Sequence, residues 1–152
     1  MAEPHRIRPA TPDDVTFLAD VSLATTRRRP ADFDEDGWRA GFAEWTIETL
    51  TDTSVVELSG VRIGRLRVRR TAEVVELCGI QLHPDVQDRG IGTAIIRRLQ
   101  AEAAASGVPL ELGVEKDNAD AQRLYERLGF TRIGESEAEF KLRWSRGEGH
   151  AG

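Results

Sequence analysis

Apolar and polar residues recur along this chain with two periods, and the switches between them divide it into strands and helices. Alternation in Arg6-Ile7-Arg8 predicts a short first strand. Thr11-Pro12-Asp13-Asp14 then carries the marks of a helix start: a cap threonine, proline at the first helical position and carboxylates in the first turn. Val15, Leu18, Ser22 and Thr25 follow at helical spacing. The Arg27-Arg28-Arg29-Pro30 run ends the pattern, because proline disfavours the helical conformation of the residue before it. A second helix is expected from about Asp34 to Asp36 onward, with Trp38, Phe42, Trp45 and Thr49 forming its buried face.

Period-two segments come next. Ser54–Leu58 and Arg62–Arg69 flank Ser59-Gly60, which reads as a tight hairpin turn. In the second strand Leu66 and Val68 fall on one face and Arg65, Arg67 and Arg69 on the other, where they are expected to be solvated or, alternatively, to meet an acidic partner. After a turn at Arg70-Thr71-Ala72, a strand from Glu73 to Leu82 leads into a glycine-bearing turn. A helix follows, with Ile91, Ala94, Ile95 and Leu99 on one side and a stop at Ser106-Gly107 before Pro109. Leu110–Val114 is the next strand, so strand, helix and strand make a crossover with a parallel pair. A helix capped around Asn118 buries Ala121, Leu124 and Leu128, and Phe130–Ile133 and Glu139–Trp144 close the pattern. The expected fold is an α/β (mixed α+β) single domain over residues 1–145, with a disordered glycine-rich tail at 146–152. No internal repeat is present.

Composition narrows the function classes. A chain of 152 residues, 39% hydrophobic and 31% charged, is sized for one domain with a core of its own. The polar start and the short apolar runs point to a cytoplasmic protein with no membrane role. A lone Cys78 permits no internal disulfide, and His5, His83 and His150 are too scattered to build a metal site with it. Twenty-six acids against twenty-one bases give a net charge of −5, which argues against nucleic acid and mildly favours a cationic substrate. The acidic group Asp32, Asp34, Glu35 and Asp36 reads first as a solvated cap on the second helix, and second as a lip that attracts an amine.

The chemistry centres on Gly79-Ile80-Gln81-Leu82-His83-Pro84-Asp85-Val86-Gln87-Asp88-Arg89-Gly90-Ile91-Gly92, a strand that runs through a glycine turn into a helix. A helix N-terminus carries unpaired N–H groups and about half a positive charge, so it suits phosphate. Glycine lets the backbone approach an anion or turn successive N–H groups onto it. Arg89 and Arg97 add positive charge. A dinucleotide fingerprint fails for want of a third glycine at its spacing, and a P-loop fails for want of Gly-Lys-Ser/Thr. Gln87-Asp88-Arg89-Gly90-Ile91-Gly92 instead resembles motif A of the GNAT N-acetyltransferase superfamily, Gln/Arg-x-x-Gly-x-Gly/Ala. Asn118-Ala119-Asp120-Ala121-Gln122-Arg123-Leu124-Tyr125-Glu126-Arg127-Leu128-Gly129-Phe130 is similar to that family's motif B. Two motifs in this order, with one strand between them, are far more specific than either alone.

The resemblance implies a GNAT-like fold, a mixed sheet with a splayed parallel pair flanked by about four helices, and acetyl-CoA as co-substrate without a metal. It implies that the main chain of Ile80, Gln81 and Leu82 bonds the pantetheine arm like an added strand, with the Ile80 amide facing the thioester carbonyl. Gln87, Asp88, Arg89, Gly90, Ile91, Gly92 and Thr93 would form the pyrophosphate turn, and Asn118 would bond the pantetheine arm or simply cap its helix. Tyr125 would protonate the leaving thiolate; without the resemblance it would read as core. Glu76 matches the strand glutamate used as base in the histone-acetylating branch, and a carboxylate between Val75 and Leu77 needs either a function or a partner. Branches acting on protein N-termini carry their base on the following strand, where this chain has Gly113. His83 reads as a turn cap ahead of a proton carrier, and Cys78 as a core residue. The acceptor would be a small-molecule or peptide amine, met by residues such as Arg29, Phe33, Trp38 and Trp45. A homodimer is compatible with this, and the alternative function is a non-catalytic acyl-CoA sensor.

Overall fold

The computed structural model describes residues 5–26 and 29–147, so Arg27, Arg28 and most of the expected tail lie outside the described residues. Seven strands form one mixed sheet in the order β1-β2-β3-β4-β5-β7-β6. They are β1 (Arg6–Pro9), β2 (Thr53–Leu58), β3 (Val61–Arg70), β4 (Val75–Leu82), β5 (Leu110–Glu115), β6 (Thr131–Glu135) and β7 (Glu139–Trp144). Among the described residues four α-helices accompany them: α1 (Val15–Ala24), α2 (Glu35–Glu48), α3 (Ile91–Ser106) and α4 (Ala119–Arg127). None of the described helices is long and apolar enough to cross a membrane.

The chain divides into two compact units, the first comprising residues up to Arg67 with Gly79–Gly92, the second Val68–Cys78 with the residues from Thr93 on. In the first, β1 and β2 pair antiparallel, as do β2 and β3 through a hairpin whose Ser59 and Gly60 both take positive φ. Ala10, Leu18 and Val55 form its core, with Phe17, Phe42 and Leu50 packed against them. The opening of the first helix is a separate 3-10 turn, Pro12–Asp14, in which the Thr11 N–H donates to Asp14 Oδ2 at 2.8 Å. Buried Asp14 also accepts from Arg8 at 2.9 Å and from Arg62 at 3.3 Å, so one carboxylate ties β1, the turn and β3 together.

α1 stops at Ala24, earlier than the proline rule suggests. The hydroxyls of Thr25 and Thr26 donate to the carbonyls of Val21 and Ser22, and Arg29 Nη2 donates to that of Leu23, which satisfies the last-turn carbonyls without further helix. The buried residues of α1 are Leu18, Ala19, Val21 and Leu23, whereas Val15, Ser22 and Thr25 of the expected stripe are only partly buried.

In the second unit β4 pairs with β5 in parallel, Val75 with Leu110, Glu76 with Glu111 and Leu77 with Leu112. Among the described residues that ladder ends there, one step short of Cys78 and Gly113. β5 pairs antiparallel with β7 and β7 with β6, the latter with a bulge between Arg132 and Gly134. α3 buries Ile95, Ile96, Leu99, Gln100 and Ala103, and the Gln100 side chain donates to the Leu128 carbonyl at 2.8 Å, which holds the end of α4. β4 begins at Val75, since Thr71 folds back on Glu73 and Val74 through its hydroxyl and keeps them out of the ladder.

Candidate functional site

The turn after β4 is built from local hydrogen bonds. Pro84–Val86 form one 3-10 turn, and His83 caps it, its Nδ1 accepting the Asp85 N–H at 3.1 Å. Gln87 folds back so that its Nε2 donates to the Leu82 carbonyl at 3.0 Å. Asp88 (φ 64°) and Gly90 (φ 80°) are both left-handed, a conformation that costs an ordinary residue about 1–2 kcal/mol. Turns with left-handed residues can bring successive N–H groups together as an anion-binding concavity, and α3 starts directly behind this turn at Ile91.

Two glycines face Leu82 at the end of β4, and they differ in how much room they leave. A Cβ on Gly64 of β3 would lie 2.7 Å from Leu82 Cδ2 and 2.8 Å from the Gln81 carbonyl oxygen, so only glycine admits Leu82 there. A Cβ on Gly92 would meet Leu82 Cδ1 at 3.7 Å, an ordinary contact. Protein packing therefore does not require glycine at position 92.

The predicted residues fall into two groups. Ile80, Gln81, Leu82 and the turn from Gln87 to Gly92 belong to the first unit; Glu76, Thr93, Asn118 and Tyr125 belong to the second. Tyr125 is 9% exposed and stands edge-on to Phe130, with ring centroids 5.6 Å apart. Burial pushes its phenol up, so the group stays protonated through the neutral range. Asn118 caps α4, its Oδ1 accepting the Ala121 N–H at 3.3 Å, which leaves its amide group to donate elsewhere.

Glu76 is half-buried and has an ionic partner, Arg69 at 3.2 Å. It lines a cleft of about 420 Å³ together with Leu112, Gly113, Gly134, Glu139 and Lys141. A Cβ on Gly113 would come within 2.7 Å of Glu139 Oε1, so a carboxylate from β7 occupies the room that a β5 side chain would take. Sequence reasoning missed Glu139 because its place depends on the β5–β7 register, which sets Glu139 opposite Glu115 and diagonal to Gly113. Beside it, burial raises Glu111 but the hydrogen bonds from Arg143 and Lys141 outweigh this and hold its carboxyl low.

The aromatic stripe of α2 is only half-buried, with Trp45 40% exposed, because the rings pack on one another and on cations. Trp38 and Phe42 stack at 4.8 Å, Phe33 lies 6.4 Å from Trp38, and Arg29 sits over Phe33 at 5.5 Å. Arg65 and Arg67 each lie 5.2 Å from the Trp45 ring. The arginine face of β3 is thus not uniformly solvated: Arg65 is 4% exposed, and only Arg69 is open. In the acidic group, Asp34 caps α2 by accepting the Gly37 N–H, and Glu35 pairs with Arg39. These contacts are the capping and pairing roles of a solvated helix start.

The model of the acetyltransferase (GNAT) family matches residues 18–130. Similar solved structures include the PaiA N-acetyltransferase from Thermoplasma acidophilum in complex with coenzyme A, at 16% identity and a TM-score of 0.76 over 93% of this chain and 99% of that one. Naa50 from Arabidopsis thaliana, in complex with a CoA-peptide bisubstrate analogue, aligns at 13% identity and a TM-score of 0.69 over 93% and 98%. The ribosomal-protein-S18-alanine N-acetyltransferase from Escherichia coli aligns at 19% identity and a TM-score of 0.66 over 93% and 94%.

Proposed function

Since this chain belongs to the GNAT acetyltransferase family, we propose that it transfers an acetyl group from acetyl-CoA to a primary amine of a small molecule or peptide, by direct attack in a ternary complex. The observation that carries this reading is the turn from Gln87 to Gly92, with left-handed Asp88 and Gly90 at the start of α3 and a Gly92 that protein packing does not require.

Acetyl-CoA supplies an activated acetyl group as a thioester. The N–H groups of Asp88 to Thr93 hold its pyrophosphate, the main chain of Ile80, Gln81 and Leu82 bonds the pantetheine arm, and the Asn118 amide group assists. The Ile80 N–H stabilises negative charge where it develops on the carbonyl oxygen. Tyr125, held protonated by burial, gives its proton to the departing sulfur. Glu76 takes the proton of the ammonium acceptor, directly or through water. Arg69 holds the Glu76 side chain at the cleft through an ion pair of 3.2 Å, and Glu139 brings a second carboxylate to the same cleft.

Peptide amines are included in the acceptor class because similar folds act on them. Gly113 stands where the N-terminal branch carries its glutamate, so a peptide acceptor here would rely on Glu76 or Glu139. The test is thiol release from acetyl-CoA with polyamines, aminoglycosides, amino acids and short peptides. Turnover with at least one amine class is expected; tight cofactor binding with no turnover across the panel would instead favour a sensor.

A further inference from the structure

Arg65 is a charged side chain only 4% exposed, and it is flanked by two elements of the first unit, α2 and the end of β4. Its guanidinium lies over the Phe42 ring at 5.7 Å and the Trp45 ring at 5.2 Å, both on α2. On its other side Nη1 donates to Gln81 Oε1 at 2.9 Å, across from β3 to the end of β4. A Cβ on Gly79 would lie 2.9 Å from that same Nη1 and 3.5 Å from the Gln81 amide nitrogen. Gly79 has no left-handed φ to explain it, and its bare face leaves the room that the Arg65 guanidinium takes.

We propose that Arg65 is a positioning residue for the pantetheine arm: clamped between the α2 aromatics and the bare backbone of Gly79, it fixes Gln81 and so the main chain of Ile80–Leu82. This rests on the function proposed above, which gives those main-chain groups to the cofactor. The arginine fork supplies what a lysine would not, a planar group that stacks on rings with one face and still donates from its edge. Gly64 holds the same strand end from the other side by admitting Leu82, so β4 is pinned through two neighbouring residues. The phosphate turn is set separately, by Gln87 and the left-handed pair. Loss of the clamp should therefore affect the two halves of the cofactor unequally.

The experiment is calorimetric titration of acetyl-CoA and of its nucleotide half, 3′-phospho-ADP, into the parent, Arg65→Met and Gly79→Ala. Gly79→Ala is the variant that preserves the fold, because its new methyl meets only the tip of a flexible side chain and displaces the guanidinium. Both variants should weaken acetyl-CoA about tenfold, the loss of one charge-assisted hydrogen bond, while 3′-phospho-ADP binds within about twofold of the parent. In the double variant Arg65→Met/Gln81→Leu the loss should be no larger than for Arg65→Met alone. Unchanged acetyl-CoA affinity in Gly79→Ala and Arg65→Met would overturn the proposal, as would an equal loss for both ligands. A parent that binds neither ligand would remove the underlying function, and this role with it.

Discussion

At the scale of single residues, the two proton-transfer roles make different demands that can be measured separately. In the proposed mechanism Tyr125 acts through its hydroxyl alone, so Tyr125→Phe should leave acetyl-CoA affinity nearly unchanged while kcat falls by ~10²–10⁴. A parallel loss of cofactor affinity would assign the phenol to packing against Phe130 instead. Glu76→Gln should abolish or move the acidic limb of the kcat/KM profile, leaving an activity that rises with pH as free amine becomes available. A variant that keeps both the rate and the acidic limb would make Glu76 structural and shift attention to Glu139, which shares its cleft. Tyr125 and Glu76 are visible in the sequence because motif B and the β4 position carry them. Glu139 is not, since its role is created by the absence of a side chain at Gly113 on a different strand.

Among the elements, Asp14 is a buried charge that joins β1, the 3-10 turn and β3. The Arg8 guanidinium holds its carboxyl well below the usual carboxylate range, against the opposing effect of burial. A group whose folded pKa is depressed contributes stability that is fully present above its unfolded pKa, about 4, and is lost as pH falls through the folded value. Asp14→Asn should therefore cost on the order of 2 kcal/mol at neutral pH, a fall of roughly 4–8 °C in Tm. The gap to the parent should narrow as pH drops below about 4. Thermal melts of the two proteins between pH 3 and 7 check this, and a gap that stays constant would contradict it. Local rules located the strands and helices because caps, glycines and alternation act within a few residues. They misplaced the α1 terminus and the solvation of Arg65, since threonine hydroxyls closed the first and the rings of α2 covered the second. Neither cause lies in the local hydrophobic pattern.

For the whole molecule, the order of elements, the parallel pair β4–β5 and the family match describe a GNAT acetyltransferase fold. The fold was readable because two motifs fix strand, turn and helix at two points of the chain, and the crossover rule connects them. The acceptor was not readable, because the side chains that would meet it are contributed by segments with no shared motif. The cofactor site is the part of this account that can be tested without knowing the acceptor. Acetyl-CoA at 100 times its dissociation constant should stabilise the protein by ~2.7 kcal/mol, a rise of roughly 5–10 °C in Tm. Gly92→Val should melt near the parent without ligand, since a first side-chain atom meets only Leu82 at an ordinary 3.7 Å. It should show no rise with acetyl-CoA, because its branches fill the approach to the turn. A parent that does not respond, or a Gly92→Val variant that responds as fully as the parent, would contradict the assignment of the cofactor to this turn.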